Sequence, residues 1–260
     1  MATFIFFSSY LFLNYLFYTL TNLYFIPLWL IVSLIPAFFL MLFFYLLNYP
    51  LVLLLPPKNR YKSYLMRSIA FFLNRFILRL KIKVTGLENV PKDGPLVIYA
   101  NHKSYTDAFA LLEVLSRPIT LTPKKSVMKL PIIGAWLKSY DVFPINRNDA
   151  RETAKDLEKA IETVKGGHAI LVFPEGSIKN RESNVIETMK PGSFKLAYKA
   201  EASILMVKYE GNDLVRKRAY KLKRSNRKLT ILKPIPYESY KHLSTQEISQ
   251  LVMEKMNSIY

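Results

Sequence analysis

The stretch Leu96-Val97-Ile98-Tyr99-Ala100-Asn101-His102-Lys103-Ser104-Tyr105-Thr106-Asp107-Ala108-Phe109-Ala110-Leu111-Leu112 changes character twice. Its first five residues form a short apolar run bounded upstream by Gly94-Pro95, which reads as a buried strand. Its last five read as the start of a helix. His102 and Asp107 therefore fall on a strand-to-helix turn, the place where α/β proteins put their chemistry. Asp107 lies near the helix N-terminus, where a negative charge is favoured. His102 can donate one ring N–H to that carboxylate, which leaves the other ring nitrogen as a base near neutral pH. These two residues are the candidate catalytic pair.

Outward from this turn, strands and helices alternate. Upstream, Ile82-Lys83-Val84-Thr85 reads as an edge strand ending at Gly86. Downstream, the helix stops before Pro118, and Ile119-Thr120-Leu121-Thr122 is a strand followed by Lys124 and Lys125. The apolar segment 130–137 reads either as a lining for an acyl chain or membrane contact, or as a helix core. Asp141-Val142-Phe143-Pro144-Ile145 reads as a strand, with Arg147 just past its end. Asn148 or Asp149 caps a helix over 150–165 whose apolar face is Ala150, Ala154, Leu157, Ile161 and Val164, and Gly166-Gly167 ends it. His168 opens a buried strand over 168–173, remote from the carboxyl end that carries Pro174-Glu175-Gly176-Ser177. Further strands are expected over 203–207 and 229–232. The basic run 217–228 reads as a hairpin facing headgroups or a nucleotide, or as a solvated turn. Ser244-Thr245-Gln246-Glu247 is a capping box for a last helix that buries Ile248, Leu251, Val252 and Met256. The alternation predicts an α/β domain with a mixed sheet flanked by helices.

Composition narrows the partners. The 260 residues carry a net charge of +18, yet no charged side chain occurs from Ala2 to Pro57. That apolar segment is long enough for two membrane helices, at about 20 residues each, placed at 4–23 and 27–47. Asn14, Asn22, Pro27 and Pro36 interrupt it, so the segment reads as two spans or as one re-entrant pair. Either arrangement returns the chain to the side of its N-terminus. No basic residue precedes the apolar run, unlike a cleaved leader. Lys58, Arg60, Lys62, Arg67, Arg75, Arg79, Lys81 and Lys83 follow it and place that side in the cytoplasm by the positive-inside rule. Residues 58–80 alternate these bases with apolar residues at helical spacing. They read as an amphipathic helix lying on anionic headgroups or packed on the domain. The basic charge asks for an anionic partner, and the apolar segment selects membrane lipid over nucleic acid. The absence of cysteine excludes disulfides, thiolate metal sites and a cysteine nucleophile. Three histidines without an HExxH pattern predict no metal.

Four blocks resemble the glycerolipid acyltransferases of the HxxxxD family. They are Asn101-His102 to Asp107; Lys124-Lys125 with Leu130-Pro131-Ile132-Ile133-Gly134; Val142-Phe143-Pro144-Ile145-Asn146-Arg147; and Phe173-Pro174-Glu175-Gly176-Ser177. The similarity covers about 82–211. It implies the glycerol-3-phosphate-acyltransferase-like fold, behind an apolar helical hairpin (1–57) and a basic connector helix (58–81), with the catalytic domain at 82–260. It also implies transfer of an acyl group from acyl-CoA or acyl-carrier protein to the sn-2 hydroxyl of lysophosphatidate, giving phosphatidate, without a cofactor. His102 is then the general base and Asp107 its partner. Arg147 is the phosphate contact, with Lys124, Lys190, Glu175, Gly176 and Ser177 as further substrate-binding residues. The family usually continues the last block with Thr-Arg where this chain has Ser177-Ile178, with Lys179 or Arg181 as candidate replacements. Glycerol 3-phosphate or another lysophospholipid is the alternative acceptor. A non-catalytic lipid-binding protein is the alternative of another class.

Overall fold

A computed structural model describes residues 1–131, 133–144, 150–178, 183–211 and 224–259, with the side chains of 150–155 excepted. The apolar segment forms α1 (Ala2–Leu20), α2 (Ile26–Val32) and α3 (Leu34–Leu54). The expected second span of 27–47 is instead two helices broken at Ser33. Pro36 has no N–H to give the Val32 carbonyl four residues earlier, so the helix cannot run through. The polar interruptions have partners inside the hairpin. Asn14 Nδ2 donates to Ser33 Oγ at 2.7 Å, and Trp29 stacks on Phe17 at 4.1 Å while its indole N–H donates to Thr21 Oγ1 at 2.9 Å.

Asn59 accepts the Tyr61 and Lys62 amides and starts α4 (Arg60–Phe72), which widens into a π turn over Leu73–Ile77. This basic helix is packed on both sides. On one side the Ala2 amide donates to Ser68 Oγ at 2.6 Å and Phe6 meets Phe72 at 5.2 Å. On the other, Asn74 Nδ2 donates to the Phe109 carbonyl at 3.0 Å and to Glu113 Oε2 at 2.8 Å.

The domain then builds β1 (Leu80–Thr85), β2 (Leu96–Ala100), α5 (Asp107–Val114), β3 (Ile119–Leu121), α6 (Ile133–Ser139), α7 (Ala150–Lys165), β4 (Ala169–Val172), α8 (Lys195–Lys199), β5 (Ser203–Glu210), β6 (Ser225–Ile231) and α9 (Thr245–Asn257). The sheet order is β1-β6-β5-β2-β4-β3. All neighbours are parallel except β5 and β6, so β1 and β6 run against the other four strands. The sheet is thus mixed. Alternate strand residues feed two cores. Val97, Tyr99, Ile170, Val172, Ile204 and Met206 face Val164, Ala197 and Val252 from α7, α8 and α9. Leu96, Ile98, Leu171, Leu205 and Val207 face Leu111 and Leu115 beside α5 and Ala70 of α4.

The expected strand at 141–145 is not formed over its described residues 141–144. Asp141 adopts φ 47°, Pro144 offers no amide, and the segment keeps a single ladder-like bond from the Phe143 amide to the Leu121 carbonyl at 3.0 Å. Segment 130–137 enters α6, where Trp136 packs on Tyr45 and Tyr49 of α3 while Leu130 and Ile133 stay exposed.

Candidate active site

The turn after β2 is tied down from three sides. Asn101 continues the β2–β5 ladder with its side chain: Nδ2 donates to the Tyr209 carbonyl at 3.0 Å, and the Tyr209 amide donates to Oδ1 at 2.6 Å. The Tyr209 hydroxyl then donates to the Asp107 carbonyl. Asp107 is the first residue of α5 and is 1% exposed. Its Oδ2 accepts the amides of Lys103 and Ser104, both at 2.7 Å, and faces His102 Nδ1 at 3.1 Å. One carboxylate oxygen therefore shapes the turn and fixes the imidazole, with Nδ1–H as donor and Nε2 as the remaining ring nitrogen.

The exit of β4 holds His102 from the other side. Phe173 stacks on the imidazole at 4.2 Å and 21°. The His102 amide donates to Glu175 Oε1 at 2.7 Å. Glu175 is buried, which pushes its carboxyl above the usual range, while the His102 amide pulls the other way. Gly176 has φ +73°, and a Cβ there would come within 2.9 Å of Lys190 Cε, so only glycine lets the Lys190 side chain cross the loop. The Lys190 amide donates to the Pro174 carbonyl at 2.9 Å.

The sequence-predicted residues divide into three groups. His102, Asp107, Glu175, Gly176 and Lys190 come together at the carboxyl ends of β2 and β4, and Ser177 follows half-buried. Lys124 is exposed at the turn after β3, the strand beyond β4, at the same end of the sheet. Arg147, Lys179 and Arg181 lie outside the described residues. His168 stands at the start of β4, away from this turn, as expected. Asn101, Phe173 and Tyr209 are positioning residues that the motif reading did not assign. Asn101 was adjacent to the motif; Tyr209, at the far end of β5, left no local signal. Lys103 is buried behind the turn, with Nζ donating to Asn184 Oδ1 at 2.7 Å, and burial lowers its pKa. It lines a small cavity of about 10 Å³ with Asn101, Glu175 and residues 183 and 185–188. Among the described residues no three His, Cys, Asp or Glu side chains converge as metal ligands.

The turn that brings His102 to Asp107 lies inside the span matched by the acyltransferase family model, residues 81–210, half of the chain. The chain belongs to the acyltransferase family. The matched span begins on β1 and ends on β5, so it contains the complete turn and leaves the hairpin, β6 and α9 outside. A 1-acyl-sn-glycerol-3-phosphate acyltransferase of Borreliella burgdorferi is 32% identical over 56% of the chain and 57% of that relative. The Saccharomyces cerevisiae protein of the same name is 28% identical over 76% of the chain and 66% of that relative. The chain thus spans between about half and two thirds of the length of these curated relatives. The crystal structure of the 1-acyl-sn-glycerophosphate (LPA) acyltransferase PlsC of Thermotoga maritima shares the fold, with a TM-score of 0.62 at 21% identity over 84% of this chain and 90% of that one.

Proposed function

We propose that the chain is a membrane-bound 1-acylglycerol-3-phosphate acyltransferase, making phosphatidate from lysophosphatidate and a thioester donor, acyl-CoA or acyl-carrier protein. The observation that carries this reading is the His102 Nδ1–Asp107 Oδ2 contact of 3.1 Å, which leaves Nε2 as the ring nitrogen not engaged by the carboxylate. In the proposed step Nε2 takes the proton of the sn-2 hydroxyl as its oxygen bonds to the thioester carbonyl carbon. The tetrahedral adduct collapses, the carbon–sulfur bond breaks, and the imidazolium returns the proton to the leaving thiolate. Asp107 orients the ring and stabilises its charged form. General-base help of this kind is worth about 10²–10⁴-fold. Neither a metal nor a cofactor is needed for this exchange.

The roles of the other residues follow their placement. Glu175 holds the His102 backbone, so the base sits at a fixed distance from the loop. Lys190, Gly176 and Ser177 face the acceptor, with Lys124 nearby; Arg147 is the phosphate ligand that the family resemblance implies. The hairpin α1–α3 lies in the membrane, with the catalytic domain on the cytoplasmic side. Ser177-Ile178 in place of Thr-Arg favours testing other acceptors, glycerol 3-phosphate first.

The test is acyl transfer by the detergent-solubilised chain, with lysophosphatidate or glycerol 3-phosphate as acceptor and labelled acyl-CoA or acyl-carrier protein as donor. The reading expects phosphatidate from lysophosphatidate and its loss in His102→Ala at unchanged Tm. Turnover only with glycerol 3-phosphate would replace the acceptor. No turnover with any pair would leave a lipid-binding protein.

A further inference from the structure

The contacts of α1 with the connector run from Ala2 on Ser68 to Phe7 on Phe76, whose rings meet at 5.4 Å. Beyond them α1 presents Leu11, Phe12 and Tyr15 outward. At this point of departure Arg75, Phe76, Arg79, Leu80, Lys81 and Arg224 line an open groove of about 430 Å³. Lys81 also lines a second groove with Lys83, Arg227, Lys228, Glu210, Gly211 and Asn226. The one acid among those lining residues, Glu210, is already engaged by Lys228 at 2.8 Å. Bases from α4, β1 and β6, distant in sequence, therefore converge on one strip along the open edge of the sheet.

We propose that the groove of Arg75, Arg79, Lys81 and Arg224 is a headgroup site for an anionic phospholipid at the bilayer surface, separate from the acyl-transfer turn. This rests on the reading that the hairpin lies in a bilayer. Exposed Phe76 and Ile77 stand beside Arg75 and Arg79, the pairing of apolar and cationic side chains that suits the boundary between acyl chains and phosphates. Charge assigns the groove: the other large one, beside α9, is lined by Glu187 and Glu247 and no described base. The strip also lies at the active-site end of the sheet. Because β1 and β6 run against β2, they begin beyond its carboxyl end: Ala100 is level with Val207 and Ile231, and Ser225 with its partner Leu80 lies six residues, about 20 Å, further along. Across the sheet β1 is three strands from β2, about 14 Å at the usual spacing. A headgroup held there orients the reactive turn toward the bilayer surface.

The experiment measures binding of dihexanoyl phosphatidylglycerol and dihexanoyl phosphatidylcholine to the full chain in neutral detergent, with no turnover required. The expected result is binding of the anionic lipid tighter by about tenfold or more at low salt, collapsing at 0.5 M salt. The variant Arg75→Gln, Arg79→Gln, Lys81→Gln, Arg224→Gln should lose that preference while keeping its Tm in detergent alone. If it does not fold, the pair Lys81→Gln, Arg224→Gln should remove about half of the logarithmic preference. Unchanged preference in a folded variant overturns the proposal. So does a raised KM for acyl-CoA with lipid preference intact, which would make the groove a donor site. An inactive wild type would overturn the enzymatic reading and leave this binding result legible.

Discussion

At the residue scale, Asp107 does two jobs with one oxygen, and two substitutions separate them. Asp107→Asn keeps an acceptor for the Lys103 and Ser104 amides and loses the charge facing His102. Turnover should fall about 10²–10⁴-fold while Tm moves little. Asp107→Ala should lose the same turnover and a further stability increment of about 1 kcal/mol, read by denaturant unfolding, as helix caps do. His168 offers a second, unrelated prediction. It is 3% exposed, and neither ring nitrogen has a partner among the described residues. Burial, then the charges of Lys58, Arg117 and Lys62, push its pKa from the usual 6.5 down to about 4. Below pH 6.5 the unfolded chain takes up a proton that the folded chain refuses until about pH 4. Stability should therefore fall by about 3 kcal/mol as pH drops through that window. Thermal unfolding against pH should show this slope in the wild type, and His168→Met should flatten it.

At the scale of elements, α9 controls the wall of the site. Asn257 makes a two-way clamp on the Ile186 backbone, donating to its carbonyl at 2.9 Å and accepting its amide at 2.9 Å. Ser249 Oγ donates to the Met189 carbonyl at 3.2 Å. The held segment carries Asn184, the partner of Lys103, and leads to Lys190. Asn257→Ala should cost about 1–3 kcal/mol and raise hydrogen exchange across 184–189, with a rise in acceptor KM. The same scale shows which elements could be read in the sequence. β2, β4 and the core of β5 are apolar runs, α7 repeats every three or four residues, and α9 announces itself with a capping box that the structure forms between Ser244 and Glu247. β6 could be read only from Leu229 onward because its first half buries Ser225 and Arg227, polar side chains that break the apolar alternation. The 141–144 segment misled in the opposite sense: its apolar residues are packed, Val142 against the hairpin and α4, without a strand being made. The His102–Asp107 contact was legible because its spacing is local. Tyr209 and the Glu175–His102 amide bond were not, since they join residues 102 and 73 positions apart.

At the scale of the whole molecule, an apolar hairpin and a basic domain share one connector. α1 and α3 have 19 and 21 residues, about 28 and 32 Å of helix, and both are apolar enough to cross a membrane. Membrane-expressed protein should stay in the pellet through carbonate and 1 M salt and leave it only with detergent; release by salt would remove the hairpin from the bilayer. Because the chain has no cysteine, Asn22→Cys gives a single thiol at the tip of the hairpin. Labelling of intact cells from outside would mark two spans, and protection from both sides a re-entrant pair. The sheet adds a matter of timing. β1 has only β6 as its neighbour, and Thr85 and Thr230 lie 145 residues apart in the chain. At about 5–20 residues per second, a ribosome takes roughly 10–30 s to deliver the second strand after the first. During that interval the hairpin is already complete and free to enter a bilayer, while β1 waits beside it with its hydrogen-bonding edge unmatched. On the proposed membrane reading, insertion precedes closure of the sheet, and the domain completes its fold at the bilayer surface.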